Sequence, residues 1–125
     1  MKVKTSELRD TPLAWAVAKI LQLKIDDTEK GILFYEGEPF LPDTYWHQAG
    51  PIIEQEKIGV WWATHVVDDE GTEYGNHWYA EPGMTDENAD KSYTCMTGPT
   101  MLIAAMRCYV ASKLGAEVEI PEELI

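Results

Sequence analysis

The sequence predicts a single small α+β domain, two buried helices packed on a small antiparallel sheet. Three observations lead there. Residues 13–23 and 101–114 are apolar on almost every side, the pattern of helices enclosed by the rest of a protein. The best strand, Ile58 to Val67, is dense in β-branched and aromatic residues, and His77 to Ala80 reads as its hairpin partner. Finally, 125 residues and 14.2 kDa make one domain. Surface scaling leaves roughly 6,800 Å² exposed of about 20,600 Å² in the unfolded chain, enough burial for a core without disulfides or a structural metal.

Taken in order, Met1 to Thr5 alternates Lys with apolar or small residues and predicts a short edge strand. Thr11-Pro12 opens the first helix, with Thr11 as its cap and Pro12 where a missing N–H does no harm. Asp26, Asp27 and Gly31 end it, and Ile32 to Tyr35 is a strand entering the Gly37-Glu38-Pro39 turn. Asp43 to Gln48 suggests one helical turn, stopped and restarted at Ala49-Gly50-Pro51, with Ile52 to Lys57 a short helix or an extended arm. Asp68 to Gly75 is a turn-rich acidic loop, and polar residues 82–93 extend it into a mobile excursion, so 64–93 is the variable acidic part of the domain. Gly98-Pro99-Thr100 starts the last helix, which Gly115 stops. Glu117 to Ile120 forms a final strand and Pro121 to Ile125 a docking tail.

Charge narrows the function. Ten Lys and Arg stand against 22 Asp and Glu, a net charge of −12. No Lys or Arg occurs between Lys57 and Lys91, where Asp68, Asp69, Glu70, Glu73, Glu81, Asp86, Glu87 and Asp90 accumulate. Phosphate backbones and anionic membranes are held by cations, so neither nucleic acid nor a membrane is an expected partner. With no apolar run near the ~20 residues of a span and no signal peptide, the chain reads as soluble and cytoplasmic.

Motifs for catalysis are missing. The sequence has no GxSxG elbow, Walker loop, dinucleotide fingerprint or HExxH, so neither an enzyme nor a cofactor is expected. His47, His65 and His77 have no ligand spacing relative to one another or to Cys95 and Cys108, which predicts no metal site and two free thiols.

Two binding hypotheses remain. The first is a small anionic, nucleotide-like ligand held by Gly98, Thr100 and Arg107, with Tyr45 and Trp46, or Trp61 and Trp62, stacking on its base. Arg107 is the only charge before the last turn of its helix and shares a face with Thr100, Ala104 and Ala111. Because it lies two turns along, roughly 10 Å from the helix start, it must reach back or act across a subunit boundary. The second hypothesis is protein binding. Trp61, Trp62, Trp78 and Tyr79 are interface candidates, for a homo-oligomer (a dimer first) or a host protein. Adjacent Trp61 and Trp62 point to opposite faces, so that one can enter the core. The acidic 68–90 stretch could dock on a basic protein as a decoy for nucleic acid.

Four segments carry a resemblance. Met1 to Leu8, then Leu13-Ala-Trp-Ala-Val-Ala-Lys19 and Gly50-Pro-Ile-Ile-Glu-Gln-Glu-Lys-Ile58, followed by Gly98 to Gly115, resemble the NinX-like proteins of lambdoid phages and prophages. The chain departs from that pattern at Ala14, where an acidic residue is common, and at Met101, where proline is common. The family has no assigned molecular role. The resemblance therefore implies a setting, a phage accessory protein in the bacterial cytoplasm, where sequestering a host signalling nucleotide would be a coherent anti-defence use of such a pocket.

Overall fold

The computed structural model describes residues 1–25, 27–29, 31–64, 66–67, 69–83 and 95–125. His65, Asp68, Asp86, Glu87, Asp90 and most of the predicted 82–93 excursion lie outside the described residues. The fold is α+β, with three α-helices and small antiparallel sheets among the described residues.

The chain ends meet. β1 (Lys2–Lys4) pairs antiparallel with β10 (Glu117–Glu119), setting Lys2 against Glu119 and Lys4 against Glu117 around a Val3–Val118 pair. Opposite charges flank an apolar centre, the cross-strand arrangement that favours pairing. Buried Thr5 strengthens the junction by donating from Oγ1 to the Gly115 carbonyl at 2.7 Å.

α1 (Asp10–Leu21) buries Leu13, Ala14, Ala16, Val17 and Ala18. Thr11 was expected to cap it, but the Thr11 hydroxyl donates to the Gly31 carbonyl at 2.5 Å. The first amide of the helix, Asp10 N–H, instead donates to Asp43 Oδ2 at 2.8 Å, an acceptor 33 residues away. Long-range acceptors of this kind leave no local pattern to read. The helix ends short of Leu23 because Gln22 turns left-handed (φ 55°), and Leu23 N–H then bonds back to Ala18 O at 3.0 Å.

β2 (Asp27–Glu29), β3 (Ile32–Tyr35) and β4 (Glu38–Pro39) form a small sheet of their own. α2 (Trp46–Glu56) then runs unbroken through Gly50-Pro51, correcting the predicted stop. Pro51 costs only the bond to the His47 carbonyl, and it lies on the exposed face, where water can reach that carbonyl. Ala49 and Ile52 turn inward.

The main sheet has the order β5 (Gly59–Ala63), β8 (His77–Glu81), β9 (Met96–Gly98). The predicted hairpin is present, with Val60 opposite Ala80, Trp61 opposite Tyr79 and Trp62 opposite Trp78. The single strand predicted to Val67 is interrupted after Ala63: Asn76 N–H bonds to the Ala63 carbonyl at 2.6 Å, and β6 (Val66–Val67) and β7 (Glu73–Tyr74) pair separately. β9 was not predicted; three residues of Met-Thr-Gly carry almost no strand signal, and only their ladder with β8 defines them.

α3 (Met101–Leu114) lies across this sheet and is the centre of the core. Every residue from Leu102 to Ala111 is buried. Thr100 caps it, its Oγ1 accepting from Ile103 N–H at 3.1 Å. Gly115 closes it at φ 93°, a region most side chains avoid. A terminal turn over Glu122–Leu124 packs Leu124 against the core.

Candidate functional site

The site is built where three chain segments meet the amino end of α3. A cavity of about 530 Å³ lies there. One wall is Arg9-Asp10, before and at the first residue of α1; the second is Asp43, Thr44 and Trp46, leading into α2; the third is Trp78 of β8. Pro99, Thr100, Met101, Leu102 and Ile103 form the fourth side. At that end the amides of Met101 and Leu102 have no intrahelical acceptor, and they take no partner among the described residues. Among the described residues, two N–H groups thus stay open at the positive end of a 14-residue helix, in residues that line the cavity.

The cavity has mixed charge. Arg9 supplies a cation, its Nε 3.4 Å from Asp10 Oδ2, and both side chains are largely exposed. Asp43 is only 5% exposed. Burial pushes its carboxyl above the ordinary aspartate value, against the pull of hydrogen bonds from Asp10 N–H at 2.8 Å and Thr44 Oγ1 at 3.2 Å. Trp46, 56% exposed, and half-buried Trp78 give the cavity two indole surfaces.

The sequence-derived residues separate here. Thr100 and Trp46 line the cavity, as does Trp78, which was expected at an interface. Tyr45 does not; it precedes α2 and sets its ring 5.6 Å from that of His47. Gly98 is buried beneath the first turn of α3, and a Cβ there would come 2.8 Å from the Ala104 amide nitrogen. Its part is to let β9 approach the helix backbone.

Arg107 does not line the cavity either. It is 8% exposed, and its Nε and Nη1 donate to the carbonyls of Leu8 at 2.7 Å and Thr97 at 2.8 Å. Burial, and then the charge of Arg9, lower its pKa, while Asp43 and Glu7 oppose them. A guanidinium stays protonated regardless. The two carbonyls that it grips come just before Arg9 and Gly98-Pro99, so the side chain fixes two cavity walls from behind. The predicted reach toward a ligand is replaced by a strut.

Neither Trp61 nor Trp62 enters the core, contrary to the expected division: they are 43% and 47% exposed. β5 lies at the sheet edge, and Trp62 packs edge-on against Trp78 at 5.4 Å. Trp61 stacks on Tyr79 at 5.8 Å on the opposite face.

Sequence reasoning missed Arg9, Asp10 and Asp43. All three look like ordinary solvated charges in sequence, and only the Leu41-Pro42-Asp43-Thr44 punctuation before a helix hinted at a capping carboxylate. Among the described residues, no three of His, Cys, Asp and Glu gather as a metal would need. His47 instead bonds to Glu38 Oε1 at 3.1 Å; with Gln48 it holds that carboxyl below its ordinary value. No helix of the described residues is long and apolar enough to cross a membrane.

A search of curated proteins gives no match. The family model described as "Bacteriophage P22, NinX" matches residues 4–113, a span that includes α1, α2, the main sheet and all but the last residue of α3. The chain belongs to the bacteriophage P22 NinX family.

Proposed function

We propose that this phage protein is a non-enzymatic binding protein of the bacterial cytoplasm, whose ligand is a small nucleotide-like molecule seated at the amino end of α3. One observation carries the reading: a single cavity is lined by two indoles, an arginine and the first two residues of α3, whose amides take no partner among the described residues. The indoles of Trp46 and Trp78 suit a planar heteroaromatic ring. The Met101 and Leu102 amides, with Arg9, suit its phosphate or carboxylate. Asp10 and the rim of Asp43 offer acceptors to ring N–H groups. A chain of net charge −12 repels polyanions at long range, which favours a ligand carrying one or two negative charges.

Titration with nucleoside monophosphates, followed by tryptophan fluorescence and calorimetry, tests this. The expected result is saturable quenching by at least one of them, with Trp46→Ala abolishing it. Arg9→Ala should weaken binding by about 3- to 30-fold, the worth of one charge-assisted contact at a partly exposed site. The matching nucleoside, lacking phosphate, should bind more weakly than its monophosphate. No response from any nucleotide at millimolar concentration would remove the reading.

A further inference from the structure

β5 forms one edge of the main sheet, and among the described residues it is unguarded. Its inner side pairs with β8, and among the described residues no strand covers its outer side. Sheet edges in soluble proteins are ordinarily blunted by a lysine, a proline, a bulge or an inward charge. Gly59-Val60-Trp61-Trp62-Ala63 has none of these and carries two large exposed indoles.

We propose that a second copy of this chain pairs antiparallel with the outer edge of β5, with Trp61 on the two-fold axis, joining the two main sheets into one of six strands. Charge chooses the occupant. The acidic chain attracts basic partners, but these five residues carry no charge, and the carboxylate beside them, that of Glu81 opposite Gly59, lies at one end of the strip and not at its centre. An uncharged strip is matched by an uncharged strip, and the nearest of those is the same segment in another copy. Its pattern is also self-complementary. With Trp61 at the centre, Val60 faces Trp62 of the second copy, a β-branched residue against an aromatic one, and Gly59 faces Ala63. The small pair leaves room on that face for the two central indoles. Each Trp61 already lies nearly parallel to Tyr79, at 17° and 5.8 Å, so the stacked row continues across the axis. A two-fold arrangement closes on itself and leaves no β5 edge free to propagate.

The mass in solution tests this, with a cross-link as a second reading. Sedimentation equilibrium of the full chain should give twice 14.2 kDa, and Trp61→Lys, which sets like charges against each other, should give 14.2 kDa with unchanged circular dichroism. If Trp61→Lys fails to fold, Trp61→Cys in a Cys95→Ser background decides. Mild oxidation should link two copies through position 61, whereas Ala63→Cys, displaced from the axis, should not link to itself. A monomeric wild type overturns the proposal. So does a dimer that survives Trp61→Lys, or one in which Ala63→Cys links and Trp61→Cys does not; such dimers use another surface.

Discussion

The Nε of Arg107 donates to the carbonyl of Leu8 across 99 residues of sequence, at 2.7 Å. Its Nη1 does the same to Thr97 at 2.8 Å. One side chain from the middle of α3 thus ties together the segment entering α1 and the strand leading into α3 itself. The bond to Leu8 is buried, and a buried acceptor left unpaired is more costly than the same group left in water.

Arg107→Met should therefore destabilise the fold by about 3 kcal/mol or more, since two bonds to a buried charge are lost together. Arg107→Lys should fall between, because an ammonium cannot reproduce the fork. Urea denaturation followed by circular dichroism measures both. Equal midpoints for wild type and Arg107→Met would show that the strut carries no stability.

Asp43 gives a pH dependence of known sign. Its carboxyl is held above the ordinary value of 3.8, chiefly by burial, so the folded chain binds that proton more tightly than the unfolded chain. The group therefore favours folding at pH below 3.8, and this contribution declines as pH rises through the raised folded value. The stability difference, wild type minus Asp43→Asn, should fall over that window and level off above it. A difference that grows with pH would mean that the ionised carboxylate is the favoured form.

Two glycines should respond unequally to alanine. At Gly98 a Cβ would meet the Ala104 nitrogen at 2.8 Å, so Gly98→Ala should cost about 1–3 kcal/mol as β9 is forced off the helix. At Gly50, inside α2, no part of the fold beyond its chain neighbours lies within 4 Å, but Pro51 follows, and its Cδ crowds the Cβ of a helical residue before it; this offsets the gain in helix propensity, and Gly50→Ala should change stability by less than about 1 kcal/mol. Thermal melts of both variants check the pair. A stabilising Gly98→Ala would show that β9 yields freely.

Thr100→Ala removes the acceptor for the Ile103 amide and should cost about 1 kcal/mol, with Thr100→Ser close to wild type. Denaturant midpoints read this directly, and identical values for alanine and serine would exclude a capping contribution.

The cysteines should differ in reactivity. Cys95 is exposed, whereas burial pushes the Cys108 thiol up to about 12. Titration with a chromogenic disulfide should find one reactive thiol per native chain and two in denaturant. Two fast thiols in the native protein would contradict the burial of α3.

Local chemistry made α1, α3 and the β5–β8 hairpin readable. Continuous apolar runs from Leu13 and from Met101, the Thr100 cap, the Gly115 stop and the valine–tryptophan strand are signals contained in short windows. Elements that depend on distant partners were not readable: β9, which exists by pairing with β8, and the start of α1, which Asp43 caps from 33 residues away. The continuity of α2 through Pro51 was hidden too, because a proline's cost depends on whether the carbonyl it orphans can find water.

For the candidate site the division is sharper. Sequence alone determined that a helix begins at Thr100, and that the one charge in its middle is Arg107. Tertiary structure decided that this charge turns inward to two backbone carbonyls, and that Arg9, Asp43, Trp46 and Trp78 share an opening with the helix start. The physical reason is one of range. Caps and apolar stripes are fixed within a few residues, while the partner of a buried charge is whichever unsatisfied group the folded chain places within hydrogen-bond reach.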